Sequence, residues 1–283
     1  MVKVIADSTC DLSQDLLKRY GIDIIPLHIV MGDKEYEDGV DITPDEIYVW
    51  ADANKTTPKT SAVAIDRVMD AYRPYLEAGD EIVCFAISTD MSTTANVMTM
   101  AAGELDAQDR VFVIDSANLS TGIGHQVIEA AIMAQNGVDG RTIAGYMEDF
   151  KTRVRASFVV DTLTYLYRGG RCSGLAAMAG GVLKLHPRIE VVNGVMGPGK
   201  KYRGKMSSVI MDYVKDMEPW LKSARKDRVF ITHSGCDGEI VMQVRSYLES
   251  LNHFDEVLET RAGGVISSHC GPGTLGVLFV EDV

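Results

Sequence analysis

In the first half of the chain short apolar runs alternate with segments of helical period, and this alternation restricts the possible folds more than any other feature. Strand-like runs lie at residues 2–6, 22–30, 81–88 and 111–115. Between them, apolar residues recur at helical spacing over 12–20, 65–76, 94–104 and 122–135. Strands joined through helices run parallel, so the pattern predicts an α/β/α unit with a parallel sheet covered by helices. Pro74 is expected to kink or end the second helix, because proline lacks the N–H that a helix interior needs. Met31-Gly32-Asp33-Lys34 reads as a turn feeding a hairpin.

The second half has a different rhythm. A helix over 140–154 precedes a strand at 157–160, and strands at 188–192 and 194–196 meet at the compact turn Asn193-Gly194. A long helix over 206–222, a strand at 228–232, a helix over 238–251 and strands at 256–260 and 276–281 follow. Hairpins mixed with crossovers predict a mixed sheet with helices on one side. The expected organisation is two α/β domains, 1–155 and 156–283.

Composition removes several function classes. A chain of 283 residues with 46% hydrophobic and 24% charged residues has the make-up of a folded globular protein. No apolar run approaches the roughly 18 residues needed to span a bilayer, so no membrane span is expected. The first residues read as a strand and not as a signal peptide. Five scattered cysteines without a CxxC pair point to a reducing cytoplasm and away from a structural zinc site. A net charge of −12 opposes nucleic-acid binding, and the short basic runs at 200–203 and 222–228 read as solvated surface.

Polar clusters stand where strand-like runs give way to helices or turns, the place where ligands collect in α/β sheets. Lys59-Thr60-Ser61 could cap the helix that follows or hold an anion. Ser88 to Thr94 carries five hydroxyls in seven positions, again open to capping or to anion binding. His269-Cys270-Gly271-Pro272-Gly273 sets a histidine before a glycine turn. Gly271, Gly273 and Gly276 spell GxGxxG, but a strand follows in place of the helix that a dinucleotide site requires, so that reading fails. Arg168-Gly169-Gly170-Arg171-Cys172-Ser173-Gly174 could clamp a carboxylate or phosphate, or be plain surface charge. GxSxG and HExxH are absent, and no metal-ligand spacing occurs. A triad of Ser92, His269 and Asp115 stays open, since triads are defined by geometry.

Taken in order, these segments resemble the DegV family from end to end. The resemblance rests on Asp7-Ser8-Thr9-Cys10-Asp11, Thr60-Ser61, Ser88 through Met91-Ser92-Thr93-Thr94, Asp115-Ser116 and Ser120-Thr121-Gly122-Ile123-Gly124. The stretch ending Arg168-Gly169-Gly170-Arg171 and His269-Cys270-Gly271-Pro272-Gly273 complete it. It implies a two-domain α/β fold with a long-chain fatty acid held in a buried ligand tunnel between the domains; no cofactor or metal is expected. By the same resemblance Thr60, Ser92 and His269 hold the carboxylate, with Ser61, Thr93, Thr94 and Gly271 as flanking or backbone contacts. Arg168 and Arg171 would face a partner or a phosphate. The implied partner is a kinase resembling dihydroxyacetone kinases, which phosphorylates the bound acid for phospholipid synthesis, so the chain itself would be a carrier. The alternatives are a Ser92/His269 hydrolase or acyl-transferase, and a ligand-sensing regulatory protein. Thr93, Ala95, Ala62-Val63, Leu185-His186-Pro187-Arg188 and Cys270 depart from the family's usual residues, which leaves the preferred acyl chain open. Fourteen methionines suit an adaptable apolar pocket, with Met91 and Met98 flanking the hydroxyl cluster and its helix.

Overall fold

The computed structural model describes residues 1–172 and 185–282. In chain order the first half comprises β1 (Val2–Asp7), α1 (Gln14–Tyr20), β2 (Asp23–Ile25), β3 (His28–Met31), β4 (Lys34–Glu37), α2 (Pro44–Asn54) and β5 (Lys59–Ser61). It continues through α3 (Ile65–Glu77), β6 (Glu81–Ala86), α4 (Thr94–Glu104), β7 (Val111–Asp115), α5 (Thr121–Gln135) and α6 (Gly140–Phe150). The second half contains β8 (Val154–Val159), α7 (Thr164–Gly169), β9 (Leu185–Val192), β10 (Val195–Arg203), α8 (Met206–Asp216) and α9 (Glu218–Leu221). Then come β11 (Arg228–His233), α10 (Gly238–Ser250), β12 (Glu256–Arg261), α11 (Gly264–Cys270) and β13 (Leu275–Val280).

The alternation read from the sequence produces a parallel sheet in the order β2-β1-β6-β7. A second, mixed sheet runs β10-β9-β8-β13-β11-β12, in which β11 and β12 are the parallel pair. The hairpin expected after Met31 forms between β3 and β4, and β5 joins it as a small third sheet. Asn193-Gly194 turns β9 into β10 as expected.

Helix α5 lies between the two large sheets, which explains why apolar and small residues surround it on every side. Ile123 and Val127 share one apolar core with Val4 and Phe85 of the first sheet and Phe158, Phe230 and Leu278 of the second. Two buried polar contacts fix its orientation: Thr121 Oγ1 meets Thr232 Oγ1 at 2.7 Å, and His125 Nε2 meets the Leu278 carbonyl at 3.0 Å. The opposite face of the mixed sheet is covered by α8 and α10 through Val209, Tyr213, Val244 and Leu248. The expectation of helices on one side of this sheet is thus corrected: its other face is covered by a helix from the first half.

Other departures have local causes. The run 22–30, read as one strand, is cut by Pro26, which has no N–H for a ladder; β2 and β3 then belong to different sheets. Pro74 does not stop α3, which continues to Glu77. Val68 and Tyr72 on that helix are fully buried, and their packing outweighs the one lost backbone bond. The helix over 206–222 breaks at Met217, and Pro219 opens the short α9. Helix α2 went unread because it buries few apolar residues, although Thr43, Pro44 and Glu46 form a full capping box at its start.

Candidate functional site

Three elements from distant parts of the chain meet at one cavity. Strand β5 brings Thr60, paired with Ile29 of β3. The β6–α4 loop brings Ser92, and α11 brings His269. The capping role open to Thr60 is not realised: α3 starts after Ala64 with no side-chain cap. Ser92 lies just ahead of α4 and on the cavity wall. Its Oγ accepts from the Thr94 N–H at 3.3 Å, meets Thr94 Oγ1 at 2.9 Å, and still faces the cavity.

His269 stands on the last turn of α11, a helix where the sequence suggested only a turn. This helix belongs to the second half but packs on the first. Val265 joins Leu27, Ile29, Ile42 and Ile47 in a separate apolar core beneath the small sheet. Burial of that face swings the C-terminal end of α11 over β5, and His269 Nε2 comes to 2.8 Å from Thr60 Oγ1.

The shared cavity has a volume of about 460 Å³. Leu27, Ile87, Met91, Leu119, Met196 and Ile266 supply apolar wall, while Thr60, Ser61, Ser92, Thr93, His269 and Arg171 supply polar groups. Both halves of the chain therefore contribute to one site. The remaining sequence candidates stand elsewhere. Thr94 is buried behind Ser92, and Arg168 is exposed on α7. Gly271 packs on Tyr165, whose ring a Cβ would meet at 2.7 Å, and its carbonyl accepts from Ser234 Oγ. Ser173 and Gly174, which end the arginine-glycine patch, lie outside the described residues. Met91 lines the cavity, whereas Met98 is core filling beside Cys84.

Burial holds the His269 imidazole well below its ordinary range, at about 4, and the charge of Arg171 pushes the same way. The ring is neutral at pH 7. Its Nδ1 is buried without a hydrogen-bond partner among the described residues. A buried N–H without an acceptor costs more than a bare ring nitrogen, so the hydrogen belongs on Nε2. Nε2–H then donates to Thr60 Oγ1, and the Thr60 hydroxyl keeps its own hydrogen to offer to a ligand. Arg171 is exposed, and its Nη1 donates to the Gly169 carbonyl at 2.7 Å. The Arg171 charge that disfavours an imidazolium favours an anion beside it, whereas burial disfavours either charge.

The ring is held from behind by Gly169, where a Cβ would lie 2.3 Å from Nδ1. Gly169→Ala is therefore expected to displace the ring, at a cost of about 1–3 kcal/mol in stability. The His269 titration midpoint, followed by NMR, should rise from about 4 toward its ordinary value. A midpoint that stays in place would show that the α7 backbone yields instead.

The triad of Ser92, His269 and Asp115 is not assembled. Asp115 is engaged by Thr89 Oγ1 at 2.6 Å and by the Ala117 N–H at 2.9 Å. His269 turns its Nε2 to Thr60, and among the described residues no carboxylate orients its other nitrogen. Among the described residues no group of His, Cys, Asp and Glu could hold a metal ion, and no helix is long and apolar enough to cross a membrane.

Residues 1–282 match the DegV family of uncharacterised proteins. The chain belongs to the DegV family. A DegV domain-containing protein of Caldanaerobacter subterraneus is 30% identical over 282 residues, covering 99% of each chain. Among solved structures, a fatty acid-binding DegV family protein of Thermus thermophilus superposes with a TM-score of 0.90 at 29% identity, covering 99% of each chain. A stearic acid-binding protein of Eubacterium ventriosum superposes with a TM-score of 0.85 at 29% identity, covering 99% of this chain and 98% of its own. The two-sheet α/β architecture of this DegV protein is thus that of lipid-binding relatives.

Sequence reasoning missed most of the apolar wall. Leu27, Leu119 and Met196 come from three separated loops and strands, and nothing in their local sequence sets them apart from core residues.

Proposed function

We propose that this DegV protein binds a long-chain fatty acid in the cavity and presents its carboxylate to a partner kinase. The observation that carries the reading is the Thr60–His269 pair, set in a cavity whose wall also holds Ser92 and Arg171 beside the apolar Leu27, Ile87, Met91, Leu119, Met196 and Ile266. A carboxylate in such a setting is costly unless several donors meet it. The Thr60 and Ser92 hydroxyls donate directly, His269 orients Thr60, and Arg171 supplies the compensating charge. The acyl chain provides affinity at about 0.8 kcal/mol per buried methylene, so the protein needs no chemistry of its own to retain its ligand.

In this reading the halves 1–155 and 156–283 are two domains, and the acid lies where they meet. The exposed Arg171 marks the side from which a kinase resembling dihydroxyacetone kinases would transfer a phosphoryl group. The product, an acyl phosphate, would feed phospholipid synthesis in the cytoplasm. The fatty acid-binding relatives support the ligand, and the kinase role rests on the family resemblance.

Protein purified from a bacterial host is expected to carry about one fatty acid per chain, detectable by mass spectrometry after organic extraction. An empty protein that also fails to take up oleate or palmitate would rule the reading out. The kinase role is checked separately: acyl phosphate should appear only when the loaded protein, kinase and ATP are combined.

A further inference from the structure

We propose that Asp11 and Asp38, two buried carboxyl groups of the first half, position His269 by holding the start of the helix that carries it. The inference rests on the fatty acid reading for its functional meaning, while the geometry behind it is independent of any ligand.

Helix α11 begins at Gly263 and Gly264, neither of which has a side chain with which to cap it, and no side-chain cap is present. Its first N–H groups are satisfied from across the domain boundary. Gly263 N–H donates to Asp11 Oδ1 at 2.8 Å, and Gly264 N–H donates to Asp38 Oδ1 at 2.6 Å. A carboxyl oxygen at a helix start accepts these orphan donors. Glycine is what permits the approach. A Cβ at Gly264 would lie 2.6 Å from Ile29 Cδ1 and 2.9 Å from both Asp38 Oδ1 and Ile47 Cδ1.

Each carboxyl group is itself anchored. Ser8 Oγ donates to Asp38 Oδ2 at 2.8 Å, and Ser120 Oγ donates to Asp11 Oδ2 at 2.5 Å. Ser120 reaches Asp11 from a backbone with φ +53° and ψ −144°, a conformation that costs a non-glycine residue strain. Such strain at a buried residue is retained where the surroundings fix it, and here it aims one hydroxyl at one carboxylate. Ser8 also accepts from the Leu27 N–H at 3.2 Å, which ties the same network to a cavity-lining residue.

The consequence is a lever seven residues long. Its start is fixed by Asp11 and Asp38 and by Val265 in the apolar core below the small sheet, and its end carries His269 to Thr60. Asp11 and Asp38 are positioning residues: they touch neither the cavity nor the ligand, and they act through the helix. Loosening the start of α11 lengthens the contact between His269 and Thr60 and so disorders the donor offered to the carboxylate.

The test uses the full chain, stripped of lipid, with oleate as the probe. Asp38→Ala is expected to weaken oleate binding on the order of fivefold and to shift the imidazole ¹⁵N resonances of His269. Asp38→Asn keeps one acceptor for Gly264 and should restore both readouts. Val209→Ala, a cavity variant in the distant core beneath α8, serves as a control for general loss of stability and should leave both unchanged. Unaltered binding and resonances in Asp38→Ala would overturn the proposal, as would an equal loss of affinity in Val209→Ala. Should Asp38→Ala fail to fold, Ser8→Ala frees only one oxygen of Asp38. It should give about a twofold loss with a resonance shift in the same direction, and an unmoved resonance would overturn the proposal. If Thr60→Ala and His269→Ala bind oleate normally, the fatty acid grip itself fails, and the ¹⁵N shift in Asp38→Ala still decides whether the carboxyl group positions the ring.

Discussion

The double variant Thr60→Ala, Ser92→Ala should lose at least about a hundredfold in affinity for a fatty acid while keeping its fold. Each hydroxyl offers a hydrogen bond to a charged group, worth about 1.5–3 kcal/mol where the carboxylate has left water. Two such losses correspond to roughly a hundredfold or more, since each 1.4 kcal/mol is a factor of ten. The single variants should not add simply, because Ser92, Thr60 and His269 serve one carboxylate. Thr60 is half-buried in the middle of a three-residue edge strand and Ser92 lies in a loop, so neither change opens a hole in the core. The measurement is titration of delipidated protein with oleate, with thermal unfolding as the check on folding. Retained nanomolar or micromolar binding equal to that of the parent would remove both hydroxyls from the site.

The second large effect concerns pH. The His269 midpoint is depressed from 6.5 in the unfolded chain to about 4 in the folded one. Above pH 6.5 the ring is neutral in both states and contributes no pH dependence. As pH falls from 6.5 toward 4, the unfolded chain takes up a proton that the folded ring refuses, so stability is lost. The loss attributable to this residue reaches about 3 kcal/mol across the window. Buried carboxyl groups shift with the opposite sign. Burial raises Asp7 to about 6 and raises Asp11 and Asp38 as well, so the folded state keeps protons on them that the unfolded chain releases. Comparing the parent with His269→Asn cancels those shared contributions. The stability gap between the two proteins, read from urea unfolding at pH 7 and pH 4.5, should shift toward the variant at the lower pH. A gap that does not change with pH would mean that the ring titrates normally and is not buried in the way described.

How much of this was legible beforehand differs from element to element. The four strands of the parallel sheet and their covering helices follow from apolar periodicity, because each signal is contained within a dozen residues. The hairpin at Met31 and the turn at Asn193-Gly194 follow from turn chemistry that is equally local. Where the reading failed, a longer-range term had won. Packing of Tyr72 overrode Pro74, and α11 formed from a segment of glycines, serines and a histidine because Val265 and Ile266 had a partner surface elsewhere in the chain. Helix α2 carried its start signal openly in Thr43 and Glu46, yet its short buried stripe hid it from periodicity.

The site shows the same division. Thr60, Ser92 and His269 could each be picked out as a polar residue near a strand end or glycine turn, and their order along the chain marked the family. Residue chemistry and order thus settled which groups are available and which fold they serve. That Nε2 of His269 faces Thr60 and not Ser92, that Gly169 backs the ring, and that Asp11 and Asp38 hold the helix behind it were decided by tertiary structure alone. Those contacts join residues separated by up to 252 positions, and local propensity carries no information about which distant side chain will fill the space. Apolar burial brings the pieces together, and only then do hydrogen bonds of fixed length choose among them.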